Sequence, residues 1–369
     1  MTSPLAMDSP IGVVGAGTMG AGIAQIAAVA GHPTILIGTP PETLVAARNS
    51  LAKALDILIA KGRLPPTERA ATLARLTTAG EMAALAPARL VIEAVPEDMA
   101  IKHVVLREIE AVVAPDSIIA SNTSALSIAA MGRALARPER LIGLHFFNPA
   151  PLLPLVEVIA APLSDPSVVD AGFATMQAWG KTPVRCRSTP GFIVNRCARA
   201  FYAEALRSLV EQATNPATLD AVMRDAGGFR MGPCELMDLI GHDINVATTA
   251  TMSAAMFGDP RYRGSPLQKE MVEAGLLGRK TGCGFFSYAT NAECPAPDDA
   301  PVGPTPSRVL MAGAIGSVAS FGARARAAGL AVECGDGDGR LIIDGVHLAP
   351  TDGRPASLRS DVDALFDLC

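Results

Sequence analysis

The chain has 369 residues, 49% of them hydrophobic, so it can bury a large core, and its length suggests about two or three domains. Its 31 Lys and Arg residues against 36 Asp and Glu leave a net charge of -5, and no basic, aromatic-rich segment indicates a nucleic-acid partner. The seven scattered cysteines form no C-x-x-C pair, which favours reduced thiols and no metal site. The opening residues lack the pattern of a signal peptide, so we expect a cytoplasmic protein.

The stretch from Ser9 to Pro41 carries no charge and exceeds the length of a membrane-spanning helix. Its glycines and prolines, however, divide it into a strand over 11–16, a helix over 18–31 and a second strand over 34–38. Together these elements have the length of a parallel β-α-β unit. We therefore predict no membrane-spanning segment here and no membrane partner.

Alternating strand and helix patterns continue to residue 188 and predict an α/β domain over 9–188 with a doubly wound, Rossmann-type sheet. Residues 41–76 are predicted to form two helices, broken between Gly62 and Pro66, that are inserted as a hairpin. The later elements are predicted strands over 89–95, 117–122, 140–146, 155–159 and 183–187, and predicted helices over 100–114 and 166–179.

Strand patterns stop after residue 188, and residues 189–290 are predicted to form an all-helical domain. Its helices are expected over 192–212, 216–226, 234–256 and 266–276. Residues 291–308 form a Pro-rich acidic linker that cannot build a core. Residues 309–369 begin with a strand, a helix and a strand, a short β-α-β-like extension whose fold the pattern leaves open.

The segment "GAGTMG" at residues 15–20 fits G-x-G-x-x-G, follows a predicted strand and opens a predicted helix. The first glycine permits a tight turn, the second lets the backbone approach a pyrophosphate, and the third allows close helix packing. Amide groups at the helix N-terminus then face the anion. The pattern predicts a dinucleotide site rather than a plain glycine-rich turn, and its candidate residues are Gly15, Gly17, Thr18, Met19 and Gly20.

The end of the second predicted strand is where a dinucleotide-binding chain normally places an acid for the adenosine ribose. Gly38 stands there, so the usual repulsion of a 2′-phosphate is missing, while the nearest following cation is Arg48. Glu42 is an alternative acid for the ribose. We therefore expect NAD as the cofactor, with NADP also usable because of Gly38, and count Gly38 among the cofactor-binding positions.

Polar residues follow two of the predicted strands, at the edge where open α/β sheets bind ligands. The segment "IEAVPED" places Glu93 and Glu97 at this edge, and "SNTS" at 121–124 follows the next strand. A structural role fits both segments equally well, because acids and Ser or Thr also cap helix N-termini.

His145 and Glu157 lie in two otherwise apolar predicted strands, "RLIGLHF" and "LVEVI". A buried carboxylate needs a partner, and a buried imidazole needs hydrogen bonds at both nitrogens. From these residues alone, the two are either a structural pair or a base with its carboxylate partner.

The order of these segments resembles that of the 3-hydroxyacyl-CoA dehydrogenases, such as the 3-hydroxybutyryl-CoA dehydrogenases, from about residue 11 to residue 288. The shared segments are "GAGTMG", "IEAVPED", "SNTS", "HFFNP", "LVEVI", "TPGFIVNR" and "KTGCGFF". The resemblance implies an NAD(P)-dependent oxidoreductase of fatty acid β-oxidation that interconverts (3S)-3-hydroxyacyl-CoA and 3-oxoacyl-CoA.

The resemblance also implies roles for individual residues. His145 matches the catalytic base, Glu157 its partner, and Ser124 and Asn195 the groups that orient the substrate. Glu97, Lys102 and Asn122 match positions near the cofactor and substrate, and we count them among the predicted cofactor-binding residues. The chemistry agrees, because hydride removal from an alcohol carbon requires a base for the hydroxyl proton, and a carboxylate at the second nitrogen fixes the imidazole tautomer.

Three features depart from the family pattern: Gly38 replaces its usual acid, Phe286 stands where Tyr is common, and the tail from residue 291 is absent from short members. One alternative is an L-gulonate 3-dehydrogenase of the lambda-crystallin type, although the apolar "HFFNP" favours an acyl-CoA. Another is a non-catalytic nucleotide- or CoA-binding homologue, against which the four retained polar residues argue.

The helical domain is also expected to determine the oligomeric state. Its first helix, "FIVNRCARAFYAEALRSLV", offers more apolar surface than a small domain can bury. Members of the family pair through this domain, so the resemblance implies a homodimer.

Overall fold

The computed structural model describes residues 3–293, 295–298, 308–312, 319–336, 340–343 and 346–348. The chain divides into two compact units, one of Met1–Arg207 and Ile240–Leu277, and one of Ser208–Leu239 and Gly278–Cys369. The domain boundaries inferred from the sequence, at residues 188, 290 and 308, stay predictions.

Within the described residues, the first unit contains a sheet of eight strands. They are β1 (Ile11–Val14), β2 (Thr34–Ile37), β3 (Leu76–Ala79), β4 (Leu90–Glu93), β5 (Ile118–Ser121), β6 (Leu141–Phe146), β7 (Leu155–Ala160) and β8 (Thr182–Arg187). Their spatial order is β3-β2-β1-β4-β5-β6-β7-β8. The first six strands are parallel, which confirms the Rossmann-type sheet.

The last two strands, β7 and β8, run in the opposite direction to the other six. β7 pairs antiparallel with β6, and β8 pairs parallel with β7. The connection over residues 147–154 is too short for the helical crossover that a parallel neighbour requires. This reversal therefore makes the sheet mixed, and it sets the register between β6 and β7.

The helices of the chain up to residue 210 are α1 (Thr18–Val29), α2 (Pro41–Ala60), α3 (Glu68–Arg75), α4 (Met99–Val112), α5 (Ile128–Gly132), α6 (Pro166–Ala178) and α7 (Val194–Val210). The helical hairpin predicted over 41–76 is confirmed by α2 and α3. The second of these helices ends at Arg75, and the edge strand β3 that follows it was not predicted, because "LTTA" is too short for a period to stand out.

Alternate residues along each strand belong to different apolar clusters, so both faces of the sheet are covered. In β4, Leu90 and Ile92 pack with α1, α2 and α6, whereas Val91 packs with α4 and α5. In β6, Leu144 and Phe146 belong to the first cluster. His145 therefore points to the face that α4 and α5 cover.

Four further helices follow: α8 (Pro216–Ala221), α9 (Pro233–Ile240), α10 (His242–Ala255) and α11 (Pro266–Glu273). The single helix predicted over 234–256 is wrong. Gly241 has a φ of 102°, a conformation that ends α9 and starts α10 after one residue. The helix predicted over 216–226 is α8 with a π-helical turn at Val222–Ala226.

The described part of the tail contains β9 (Val309–Ala312), α12 (Ala319–Ala327), β10 (Val332–Gly335), β11 (Arg340–Ile343) and β12 (Val346–Leu348). The predicted strand, helix and strand are confirmed. Two more strands extend them to a sheet in the order β10-β9-β11-β12, in which β11 is antiparallel to β9. The remainder of the predicted extension lies outside the described residues.

The uncharged stretch near the start of the chain forms β1, α1 and β2, as predicted. No helix in the described part of the chain is both long and apolar enough to cross a membrane.

Candidate active site

The glycines of the "GAGTMG" turn differ in what a side chain would meet at each position. Gly15 has a φ of +108°, and a Cβ there would lie 2.6 Å from the carbonyl oxygen of Ala94. At Gly20 a Cβ would lie 1.7 Å from the carbonyl oxygen of Gly15, so the turn and α1 are in contact. A Cβ at Gly17 would meet no atom within 4 Å, so this backbone faces open space. The geometry at the three glycines therefore suits the three roles of the dinucleotide motif.

The turn opens onto a cleft of about 1070 Å³ at the carboxyl ends of β1, β2 and β4. Five predicted cofactor residues line it: Gly15, Gly17, Thr18, Met19 and Gly38. Gly20 is buried behind the turn. No side chain caps the N-terminus of α1, so its first amide groups remain available to a phosphate. The residues present thus fit a dinucleotide cofactor.

Close packing around Gly38, which lines the cleft, leaves no room for a side chain at this residue. A Cβ there would lie 2.5 Å from the Cβ of Ala16 and 3.0 Å from Cδ2 of Leu44. An acid at residue 38 thus requires Ala16 to move. Among the described residues that line the cleft, the acids are Glu81 and Glu108, and none is Arg or Lys. Glu42, the alternative acid predicted from the sequence, is not a lining residue, and Glu81, which follows β3, was not predicted.

The register between β6 and β7 places His145 directly opposite Glu157. Nδ1 of His145 lies 2.6 Å from Oε2 of Glu157, and the two residues are 6% and 0% exposed. The other carboxylate oxygen accepts hydrogen bonds of 2.9 Å from the amides of Ile193 and Val194, where α7 begins. The sequence predicted the pair but missed these two amides, which tie it to α7.

The carboxyl group of Glu157 is held as an anion. Burial alone would raise its pKa, but the hydrogen bonds from His145 and from the amides of Val194 and Ile193 outweigh burial and lower it. An anion at Nδ1 requires the hydrogen of a neutral imidazole to be on that nitrogen, which leaves the Nε2 lone pair to accept a proton.

Ser124 and Asn195, predicted to orient a substrate, are in direct contact. Nδ2 of Asn195 donates to the backbone carbonyl oxygen of Ser124 at 3.1 Å. Asn195 lies in the first turn of α7, next to the two amides that bind Glu157. The structure thus links all four predicted catalytic residues through the start of α7.

Glu97 binds the loop that carries Ser124 rather than capping a helix. Its Oε1 accepts hydrogen bonds from the Thr123 hydroxyl at 2.7 Å and from the Ser124 amide and hydroxyl at 2.9 and 3.1 Å. Burial raises its pKa, but these hydrogen bonds and the charge of Lys102 outweigh burial and lower it. Asp98 is the N-cap of α4 instead, and Ser127 that of α5.

Lys102, which the resemblance places near the cofactor and substrate, is completely buried. Its ammonium group lies 2.9 Å from Oε1 of Glu93 and 3.4 Å from Oε2 of Glu97. The hydroxyl of Ser121 also donates to Glu93. Lys102 therefore joins the end of β4 to the acid that holds the Ser124 loop, and ligand contact by its side chain stays a prediction.

Asn122 connects the ends of two neighbouring strands. Its side-chain carbonyl oxygen accepts a hydrogen bond of 2.8 Å from the amide of Phe146. Because Phe146 follows His145, this bond fixes the backbone next to the imidazole. Asn122, Glu97 and Lys102 do not line the cleft, and direct cofactor binding by these three residues stays a prediction.

The departure at Phe286 affects a loop held mainly by its backbone. The amides of Phe285 and Phe286 donate to the carboxylate of Asp238 at 2.9 and 3.0 Å. The Tyr288 hydroxyl donates to the same carboxylate at 2.9 Å. Because this contact uses the backbone amide of residue 286, Phe and Tyr can both make it, and Phe in place of Tyr leaves it unchanged.

A dinucleotide cleft, a buried imidazole with a carboxylate at Nδ1, and a Ser–Asn contact together suit the oxidation of an alcohol by hydride transfer. Comparison with known proteins identifies the family. Residues 10–189 match the family described as "3-hydroxyacyl-CoA dehydrogenase, NAD binding domain", and residues 191–288 match its "C-terminal domain". The chain belongs to the 3-hydroxyacyl-CoA dehydrogenase family.

Individual relatives agree with this assignment. Over 283 residues, 77% of this chain, it is 42% identical to 3-hydroxyadipyl-CoA dehydrogenase of Escherichia coli, of which it spans only 60%. It is 38% identical over 282 residues to 3-hydroxybutyryl-CoA dehydrogenase of Mycobacterium tuberculosis. This match covers 75% of this chain and 98% of that protein.

A solved structure of 3-hydroxybutyryl-CoA dehydrogenase from Escherichia coli K12 is 34% identical, with a TM-score of 0.78. The likeness covers 99% of this chain and 79% of that one. It therefore extends beyond the two matched domains into the tail.

Proposed function

We propose that this chain interconverts (3S)-3-hydroxyacyl-CoA and 3-oxoacyl-CoA with a nicotinamide dinucleotide. The observation that carries the proposal is the buried pair of His145 and Glu157, joined at 2.6 Å and tied to the start of α7. An isolated buried pair would serve the fold equally well, but this one adjoins Asn195, which contacts Ser124. The named relatives act on acyl-CoA esters of this kind.

His145 accepts the substrate hydroxyl proton at Nε2 during oxidation and returns it during reduction. Glu157 keeps the other nitrogen protonated and stabilises the imidazolium that forms. The bound cofactor supplies the hydride acceptor in oxidation and the hydride donor in reduction. Because Glu157 is itself held by two amides, it stays fixed while the charge on His145 changes.

Ser124 and Asn195 hold the oxygen that changes between hydroxyl and carbonyl. The hydroxyl of Ser124 lies 3.1 Å from Glu97, and Asn195 holds the backbone of Ser124. Glu97 and the buried Lys102 act through this loop by fixing the position of Ser124.

One assay tests the proposed function. The chain is expected to oxidise NADH with acetoacetyl-CoA, at a rate that depends on enzyme concentration. Oxidation of L-gulonate without turnover of any acyl-CoA would support the rival dehydrogenase instead. Cofactor and CoA-ester binding without turnover would support the non-catalytic alternative.

We propose NAD, rather than NADP, as the preferred cofactor. Two observations support it: the cleft lining contains Glu81 and Glu108, and its described residues include no Arg or Lys. Both acids disfavour an additional 2′-phosphate. Because Gly38 carries no carboxylate, NADP is still expected to support slower turnover.

Replacing Gly38 with Asp tests this recognition. The single variant is expected to be destabilised, because its Cβ would lie 2.5 Å from that of Ala16. With Ala16→Gly in the same chain, the closest contact is removed, and a small shift of the Leu44 side chain, 3.0 Å away, lets the acid accept hydrogen bonds from the ribose. NAD affinity should then rise and NADP turnover fall by about one to two orders of magnitude. Melting temperatures and cofactor titrations of the single and double variants measure both effects, with Ala16→Gly alone as control.

If Gly38→Asp combined with Ala16→Gly left both cofactors unaffected, the ribose would lie elsewhere. If the unmodified chain excluded NADP and Glu81→Gln relaxed that exclusion, Glu81 would be the recognising acid.

We propose a homodimer formed through the helical region. Ile244 on α10 is 52% exposed, and α10 and α11 border an apolar groove of about 660 Å³ that includes Val246 and Pro266. A second copy related by a twofold axis would cover this surface. Light scattering at micromolar concentration should give twice the mass of one chain. Ile244→Asp should lower the measured mass towards that of a single chain. Val45→Asp, on the exposed face of α2, is the matched control. A monomeric unmodified chain would contradict the proposal.

We also infer a cytoplasmic location. It is supported by the five free cysteines of the described residues, which suit a reducing compartment.

A further inference from the structure

Two consecutive residues before α7 have left-handed backbone conformations. Gly191 has a φ of 68° and Phe192 a φ of 48°. At residue 191 glycine is required, since a Cβ would lie 2.6 Å from Sδ of Met252. Phenylalanine disfavours this conformation, so its surroundings must impose it.

The left-handed backbone at Phe192 directs the amides that follow it. Its own amide donates to the carbonyl oxygen of Thr189 at 2.9 Å and closes a turn. The next two amides, of Ile193 and Val194, then converge on a single oxygen of Glu157, each at 2.9 Å. The unfavourable conformation thus accompanies the two bonds that fix the carboxylate.

The side chain of Phe192 packs towards the imidazole from the same turn. It is only 3% exposed, and the centre of its ring lies 5.9 Å from that of His145, with a tilt of 56°. The ring of Phe147 lies 4.4 Å from the same imidazole. Glycine at residue 192 would remove the strain but also this ring, which accounts for a bulky residue in a conformation that favours glycine.

We propose that Phe192 is a positioning residue for the pair of His145 and Glu157. Its backbone holds the carboxylate through the two following amides, and its ring restricts the rotation of the imidazole. The catalytic consequence rests on the proposed function, whereas the effect on the imidazole does not.

The test compares Phe192→Leu, Phe192→Met and Phe192→Gly with the unmodified chain. Leu and Met keep apolar volume without the ring. Gly removes the whole side chain and also relieves the strain of the left-handed backbone at residue 192. The matched controls are Phe257→Leu and Phe257→Gly, because Phe257 has a φ of 55° but is 99% exposed. For each variant kcat, KM and NADH affinity are measured, together with the histidine ¹⁵N NMR spectrum. His145→Gln identifies the His145 signals among those of the five histidines.

The Phe192 variants are expected to lower kcat roughly 10-fold to 100-fold, with KM and NADH affinity changed less than about twofold. Their His145 signals should lose the pattern of a single tautomer protonated at Nδ1. The Phe257 variants should retain both properties. Wild-type kcat and unchanged His145 signals in any Phe192 variant that folds would overturn the proposal. If the unmodified chain turned over no acyl-CoA, the proposed function would fail, and the NMR comparison would still decide the role of Phe192.

Discussion

Replacing His145 with Gln is expected to lower kcat with an acyl-CoA by about 10²- to 10⁴-fold, the usual contribution of a general base. Glutamine can still donate a hydrogen bond to Glu157, but its amide cannot take a proton from the substrate hydroxyl. NADH affinity should stay unchanged, because His145 is not among the residues that line the dinucleotide cleft. Steady-state kinetics and NADH fluorescence titration measure the two quantities.

The fold should also tolerate this substitution, because Glu157 keeps its hydrogen bonds from Ile193 and Val194. His103→Gln is the matched control, since Nε2 of His103 lies 3.0 Å from the carbonyl oxygen of Ala130 in a separate contact. It should leave kcat unchanged. If His145→Gln folded and retained wild-type kcat, another group would be the base, and the pair with Glu157 would be structural.

Much of this site could be predicted because its residues stand at fixed places along strands. The two-residue period of a strand fixes which face of its own strand His145 and Glu157 each occupy. The short connection over 147–154 permits only an antiparallel arrangement of the two strands. The ordered segments then gave the family and the four polar residues. What the pattern lacked was the register, which makes the two side chains direct neighbours.

Lys102 lies in a sequence pattern from which its buried ion pair could have been predicted. It shares the buried stripe of α4 with Leu106 and Ile109, at the spacing of one helix face. A lysine on such a stripe requires a buried acid, and Glu93 ends the neighbouring strand. This pattern predicts an internal ion pair more directly than it predicts a ligand contact.

Other features depend on contacts that no local pattern contains. The close approach of Gly38 to Ala16 joins two strand ends that are distant in sequence. The left-handed conformation of Phe192 opposes the preference of its own residue type, so only the packing around it can reveal it. Both features lie where the tertiary structure overrides local preference.

Substitutions of the glycines in the cofactor turn are expected to distinguish effects on NADH affinity from effects on the free energy of unfolding. At Gly17, φ is -70° and a Cβ would meet nothing within 4 Å, so Gly17→Ala should change the unfolding free energy by less than about 1 kcal/mol. The methyl group would, however, occupy the space through which a pyrophosphate approaches the backbone. NADH affinity should therefore fall about 100-fold, or about 2.7 kcal/mol.

Gly20→Ala, unlike Gly17→Ala, should clearly lower the free energy of unfolding. Its Cβ would lie 1.7 Å from the carbonyl oxygen of Gly15, so α1 or the turn must move, at a cost of about 1–3 kcal/mol in unfolding free energy. Thermal unfolding and NADH titration of both variants separate the two effects, with Gly264→Ala as control, because a Cβ there also meets nothing within 4 Å. If Gly17→Ala bound NADH normally while keeping its stability, the pyrophosphate would not approach this backbone, and the cleft at the end of β1 would not hold the cofactor as proposed.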